Sequence, residues 1–265
     1  MLSSRALWSG FALVLKMDNP LLEVVNLRCR FGGVDALKDV SFSIPPETIT
    51  TIIGPNGAGK STLLGCISGE YVPKKGRIFL DGREITGLKS WKVSDLGVAR
   101  TFQLPRAIFH LSAFDNVYLP IFASSKGFGS RRAAAELARE ILPRCGLENK
   151  AEVLAKELST AEIRKMELAR ALGLRPKLLL LDEPLGGLSP TEVDESLKLI
   201  SELCKEGLTI VAVEHVVRAA LEVADSVIFL SNGVLVGEGE PRELLSREDI
   251  VELYLGGRFV RRGQL

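Results

Sequence analysis

The sequence predicts an α/β fold: a parallel sheet with helices, joined to an antiparallel β subdomain and carrying an inserted α-helical subdomain. Three observations carry this expectation. Lys177 to Asp182 and Leu208 to Val213 are short, mostly apolar runs, the pattern of strands covered on both faces of a parallel sheet. Residues 21–28 and 38–44 instead alternate apolar and polar, as half-buried antiparallel strands do. From about Asp95 to Leu174 the pattern turns helical.

The elements follow in chain order. Pro45-Pro46 ends the second alternating segment, and Thr48 to Ile53 is a β-branched strand that runs into a glycine-rich turn. Gly76 to Leu80 and the turn Asp81-Gly82 suggest one more short strand. Arg131 to Leu142 and Glu162 to Leu174 are the clearest helices. Between the two apolar runs Pro190 starts an amphipathic helix, with Val193, Leu197, Ile200, Leu203 and Cys204 on one face. Val227 to Leu230 and Val234 to Gly237 close the pattern as a hairpin around Asn232-Gly233. The expected organisation is a leader or disordered tail at 1–16, a single domain at 17–265, and a helical subdomain at about 88–175 within it.

Composition sets outer limits. The chain has 265 residues, 46% hydrophobic and 25% charged, with 34 Lys+Arg against 33 Asp+Glu. That balance argues against disorder and against a basic surface covering the molecule, so no nucleic-acid partner is expected. Cysteines 29, 66, 145 and 204 contain no CxxC pair and suggest neither a disulfide framework nor a zinc site. No stretch reaches the roughly 18–20 apolar residues of a membrane span. The nearest, Leu7 to Leu15, lies between Arg5 and Lys16, and Met17 is a plausible alternative start.

Two motifs carry chemistry. Gly54-Pro55-Asn56-Gly57-Ala58-Gly59-Lys60-Ser61-Thr62 fits G-x-x-x-x-G-K-[ST] directly after a strand and before a helix-like run. Glycines there let consecutive N–H groups turn inward onto phosphate oxygens, with the positive end of a helix behind them. Lys60 supplies a point charge for the β/γ-phosphates, and the Ser61 hydroxyl can ligate Mg²⁺. The second motif, Leu178-Leu179-Leu180-Leu181-Asp182-Glu183-Pro184, puts Asp182 at the C-terminal end of a buried strand, where ligands gather in α/β sheets. One carboxylate near Mg²⁺ can hold the metal's waters, and an adjacent one can polarise an attacking water.

With these motifs in this order, residues 21–245 resemble the ATP-binding subunits of ABC transporters, a P-loop NTPase fold. The series is Walker A at 54–62, Gln103 in Ala99-Arg100-Thr101-Phe102-Gln103, Leu158-Ser159 opening a signature-like helix, and Walker B at 178–183. Gly187-Leu188-Ser189-Pro190 as a D-loop and His215 after the next strand complete it. The resemblance implies ATP and Mg²⁺ as ligands. It implies Glu183 as general base, His215 as the switch contacting the γ-phosphate, and Gln103 as a Mg²⁺ ligand that also touches a transmembrane partner. Phe31 stands where the family places an aromatic that stacks on adenine, and Ser159 where the signature meets nucleotide. Arg30-Phe31-Gly32-Gly33, the Ala-Arg-Thr-Phe-Gln run, Gly-Leu-Ser-Pro-Thr-Glu and Val213-Glu214-His215 look most like importer ATPases for branched-chain amino acids. That family member would sit on the cytoplasmic face of the cell membrane, with integral-membrane permease subunits and a second ABC ATPase subunit as homo- or heterodimer partner.

The signature departs from the family's Leu-Ser-Gly-Gly-Gln, reading Leu158-Ser159-Thr160-Ala161-Glu162, and Val216 follows His215 where this importer group often has Asp. Ser159-x-x-Glu162 is also a capping box, which starts a helix without any nucleotide. Two other readings stay open: a non-transport ABC ATPase, and a weakly hydrolysing nucleotide-gated subunit of an importer for urea or amides.

Overall fold

A computed structural model describes residues 19–124, 129–214, 222–248 and 250. Two sheets are present among these residues. The first is antiparallel, in the order β2-β1-β4-β5, from β1 (Leu22–Phe31), β2 (Val34–Ile44), β4 (Lys75–Leu80) and β5 (Arg83–Glu84). The second follows the order β10-β9-β3-β8-β7-β6. Its strands are β3 (Ile49–Ile53), β6 (Val98–Arg100), β7 (Leu178–Asp182), β8 (Thr209–Val213), β9 (Ser226–Ser231) and β10 (Val234–Gly239). Only the β9–β10 hairpin of this sheet is antiparallel.

Burial explains the two strand patterns. Every residue of β3, β7 and β8 is buried, because these strands lie in the middle of a sheet covered on both faces. On one face Leu63, Leu64 and Ile67 of α1 (Lys60–Ile67) pack with Leu178, Leu180, Val211 and Val213, and the antiparallel sheet closes over them with Leu22, Leu27 and Phe42. On the other face Leu179, Leu181 and Ile210 meet Ile200 and Leu203 of α6 (Pro190–Lys205). The apolar stripe of α6 read from sequence therefore faces this sheet. Further along, Phe229 and Val227 pack under Leu244 of α7 (Pro241–Ser246).

A separate helical core forms from α3 (Ala113–Ala123), α4 (Arg131–Arg144) and α5 (Thr160–Gly173), through Val117, Ile121, Ala138, Ile141 and Met166. Ser112, Ser130 and Ser159 cap these three helices with their hydroxyls.

The structure departs from the sequence pattern in two places. The stretch read as helical from about Asp95 contains β6, which pairs in parallel with β7. The preceding α2 (Ser90–Asp95) buries Val93 in the core between the sheets. Residues 88–100 thus pack with the main body, and the helical layer begins only at Ala113. Three residues are too few to show a strand period. The first two strands also run longer than 21–28 and 38–44, because register shifts between Val24 and Arg30 break the alternation. Residues 1–16 lie outside the described residues.

Candidate nucleotide site

The loop from Gly54 to Gly59 is held against the sheet by glycine. Gly54 has φ +148°, and a Cβ there would fall 1.9 Å from the Leu230 carbonyl oxygen. At Gly59, with φ +101°, a Cβ would meet the Ala36 carbonyl oxygen at 2.5 Å. A side chain at either position would push the loop off β9 or β2. Ala58 is buried, and its carbonyl accepts from the Gly233 N–H at 2.9 Å, while Asn56 and Gly57 stand in the open. Helix α1 starts at Lys60 with no side-chain cap and no acidic residue in its first turn. The N–H groups of Lys60, Ser61 and Thr62 therefore have no intrahelical acceptor and face outward with the positive end of the dipole. That is a fit for a phosphate anion.

Lys60 is buried, and its ammonium donates to the carbonyls of Gly54 at 2.8 Å and Pro55 at 3.0 Å. Burial pushes its pKa down, opposed by the charges of Glu183 and Asp182. Asp182 ends β7 at 3% exposure. Its Oδ1 accepts from the Ser61 hydroxyl at 3.3 Å, and its Oδ2 from Arg100 at 2.8 Å. The two motifs, 121 residues apart, thus meet through one carboxylate.

Glu183 lies next, with φ +52°, a left-handed backbone that a glutamate adopts only under restraint. The restraints are visible. Its N–H donates to Val213 O at 2.9 Å, and its carbonyl accepts from Arg164 at 3.0 Å and from the Gly186 N–H at 3.3 Å. Its carboxylate accepts from the Gln103 amide at 2.9 Å. The fold therefore brings Gln103 to Glu183, a pairing that the motif series did not specify.

Phe31 ends β1 and is 46% exposed, so it is not a core residue. Its ring meets Tyr71 edge-on, 5.1 Å between centroids at 81°. Tyr71 in turn lies on α1 at Gly65, where a Cβ would come within 2.3 Å of its ring. Ser159 makes the full capping box: its hydroxyl accepts from the Glu162 N–H at 3.2 Å, and Glu162 accepts from the Ser159 N–H at 2.8 Å. The Ser159 N–H and Lys150 together hold the Glu162 carboxyl below its usual range. The negative charge added to the signature is turned back onto the helix start. His215 lies outside the described residues.

Sequence reasoning missed the residues that hold this site in place. Arg100 appeared only as one letter of a motif, Arg164 and Glu167 as turns of a helix, and Tyr71 not at all. Glu167, 6% exposed, accepts from the Arg106 N–H at 2.7 Å and so ties the loop after Gln103 to α5. The available signal was a charge inside an apolar pattern: Arg100 follows Val98-Ala99, and Glu167 falls between the apolar Met166 and Leu168.

The family model described as ABC transporter matches residues 37–186. The chain is 34% identical over 253 residues to the high-affinity branched-chain amino acid transport ATP-binding protein BraF of Pseudomonas aeruginosa, covering 91% of this chain and 99% of that protein. A crystal structure of the ADP conformation of an ATP-binding cassette of an ABC transporter superposes with TM-score 0.81 at 29% identity, covering 90% of this chain and all of that one. A dimeric post-hydrolysis cassette bound to ADP and Pi superposes with TM-score 0.76 at 27% identity, over 83% of this chain and 99% of that one. On motif order, fold and these likenesses, the chain belongs to the ABC transporter family, as one of its ATP-hydrolysing cassettes.

Proposed function

We propose that the chain is the ATPase subunit of an importer for branched-chain amino acids, working at the cytoplasmic face of the cell membrane with separate permease subunits and a second cassette. One observation carries the chemistry: Ser61, Asp182, Glu183 and Gln103, from three segments, are linked by two hydrogen bonds of 3.3 and 2.9 Å and one peptide bond. In this reading Gly54 to Thr62 hold the triphosphate, and Phe31 stacks on the base. Ser61, Gln103 and Asp182 would hold Mg²⁺, which neutralises phosphate oxygens. Glu183 takes a proton from the water whose oxygen attacks the γ-phosphorus. The bond to the β,γ-bridging oxygen breaks, and ADP and phosphate leave. His215 is the expected switch and Ser159 the expected signature contact.

The permease reading is supported by exposed apolar side chains just after Gln103. Leu104 is 81% exposed, Ile108 43% and Phe109 46%. Among the described residues no helix is long and apolar enough to cross a membrane. The cargo reading rests on the likeness to BraF.

The test is reconstitution with candidate permease and binding-protein partners in proteoliposomes. Leucine uptake that needs ATP on the cassette side, and is lost in Asp182→Asn, supports the proposal. Uptake of urea or another amide in place of leucine reassigns the cargo. ATP hydrolysis that drives uptake of no substrate with any of these partners removes the importer reading.

A further inference from the structure

Arg100 approaches the Walker B carboxylate from β6, and its side chain is only 7% exposed. Its guanidinium is spread over two acids: one terminal nitrogen donates to Asp182 Oδ2 at 2.8 Å, the other to Glu70 Oε2 at 2.8 Å and to the Ser68 hydroxyl at 3.3 Å. Its ε N–H is buried without a partner among the described residues. Arg106 takes the second oxygen of Glu70 at 2.9 Å and lies over the Phe102 ring at 3.6 Å. Around the loop, Lys60, Arg100 and Arg106 stand against Glu70, Asp182 and Glu183.

We propose that Arg100 is a built-in counter-ion that withholds Asp182 from free divalent metal, so that Mg²⁺ enters as its nucleotide complex. The inference rests on the reading of Asp182 as a metal-site carboxylate. Both oxygens of Asp182 are engaged, one by Arg100 and one by the Ser61 hydroxyl. A bare divalent cation must displace or tolerate a buried positive charge beside the carboxylate, where screening by solvent is weak. A triphosphate brings its own negative charges and the unengaged N–H groups of α1 to meet it, so the metal no longer depends on Asp182 alone. Arginine suits this role. Its planar fork spans two carboxylates at once and stays charged at every accessible pH.

The experiment measures Mn²⁺ binding by electron paramagnetic resonance on the full chain without nucleotide. Arg100→Gln should bind Mn²⁺ at least roughly tenfold tighter than wild type, since a buried opposing charge has gone. Arg100→Lys should stay near wild type, and Arg100→Gln with Asp182→Asn should lose the gain. No gain in Arg100→Gln, or a gain that survives Asp182→Asn, overturns the proposal. Glu70→Gln, at a half-buried position, gives the opposite arm. With one acid removed from the same guanidinium, ATP in EDTA should bind several-fold tighter and free Mn²⁺ no better. Weaker metal-free ATP binding in that variant also overturns the proposal. If Asp182→Asn leaves Mn²⁺ affinity of the ATP complex unchanged, the metal-site reading itself fails, whatever Arg100 does.

Discussion

The Gln103 amide donates to the Glu183 carboxylate across 2.9 Å, joining residues 80 apart in the chain. Arg164 of the signature helix holds the carbonyl of the same glutamate. Glu183 is thereby tied to two segments that the motif series treats as separate: the loop after β6 and the start of α5. Movement of either segment reaches the carboxylate proposed as general base.

Glu183→Gln should keep ATP affinity and lose hydrolysis by roughly 10²-fold or more, the size expected of a positioned general base. The amide keeps an acceptor for Gln103 but cannot take a proton. Dimers should accumulate with ATP, as seen by size-exclusion chromatography. Wild-type turnover in this variant removes Glu183 as the base.

Phe31→Ala should weaken ATP and GTP binding alike, by about 1–3 kcal/mol, because stacking uses a ring face and reads no base edge. Titration calorimetry with both nucleotides makes the comparison. Unchanged affinities would return Phe31 to the role of a surface partner for Tyr71.

Gly65→Ala should destabilise the protein, against the ordinary gain of alanine in a helix. The new Cβ would stand 2.3 Å from the Tyr71 ring, and overpacking of that kind costs about 1–3 kcal/mol. Tyr71 carries Phe31 on its edge, so nucleotide affinity should fall with stability. A raised Tm would show that the Tyr71 ring moves aside freely.

Glu167→Gln tests a buried charge. Burial raises the Glu167 carboxyl above its ordinary 4.5, against the pull of Arg170, Arg164 and Arg106. The folded state therefore binds the proton more tightly than the unfolded one. The stabilising contribution is complete below 4.5 and is lost as pH rises through the folded value. Glutamine still accepts from the Arg106 N–H without that loss. Urea midpoints of wild type should fall relative to Glu167→Gln as pH rises from 4.5; parallel curves would count against a raised carboxyl.

Thr160→Gly and Ala161→Gly, singly and together, address the odd signature. We propose that the functional dimer pairs two different cassettes with unequal sites, this chain bringing an intact Walker A and a weakened signature. Glu162 is already turned back onto Ser159 and Lys150, which leaves the Cβ atoms of Thr160 and Ala161 as the obstacle. ATPase activity of the assembled complex should rise in the glycine variants. No change or a fall means that the present residues meet phosphate as well as glycines do, and the asymmetry is abandoned.

Much of the site was legible before any fold was known, because its chemistry is local. Glycines at 54, 57 and 59 followed by Lys60 and Ser61 prescribe their own backbone, and Asp182 announces itself by ending an apolar run. Strands β3, β7 and β8 and the amphipathic α6 were readable for a like reason: burial on both faces writes a short apolar run, and burial on one face writes a helical period. What could not be read was β6, too short for any period, and with it the place of Arg100. Only the parallel pairing of Arg100 with Leu180, two residues before Asp182, brings that guanidinium to the carboxylate. Likewise the hold of Arg164 on Glu183, of Glu167 on Arg106 and of Tyr71 on Phe31 depends on how helices and strands distant in sequence are stacked. The glycine-rich turn and the longer buried runs are specified by neighbours along the chain, and so they can be read from them. Charge pairing is decided by neighbours in space, and these exist only once the sheet register and the seat of α5 are set.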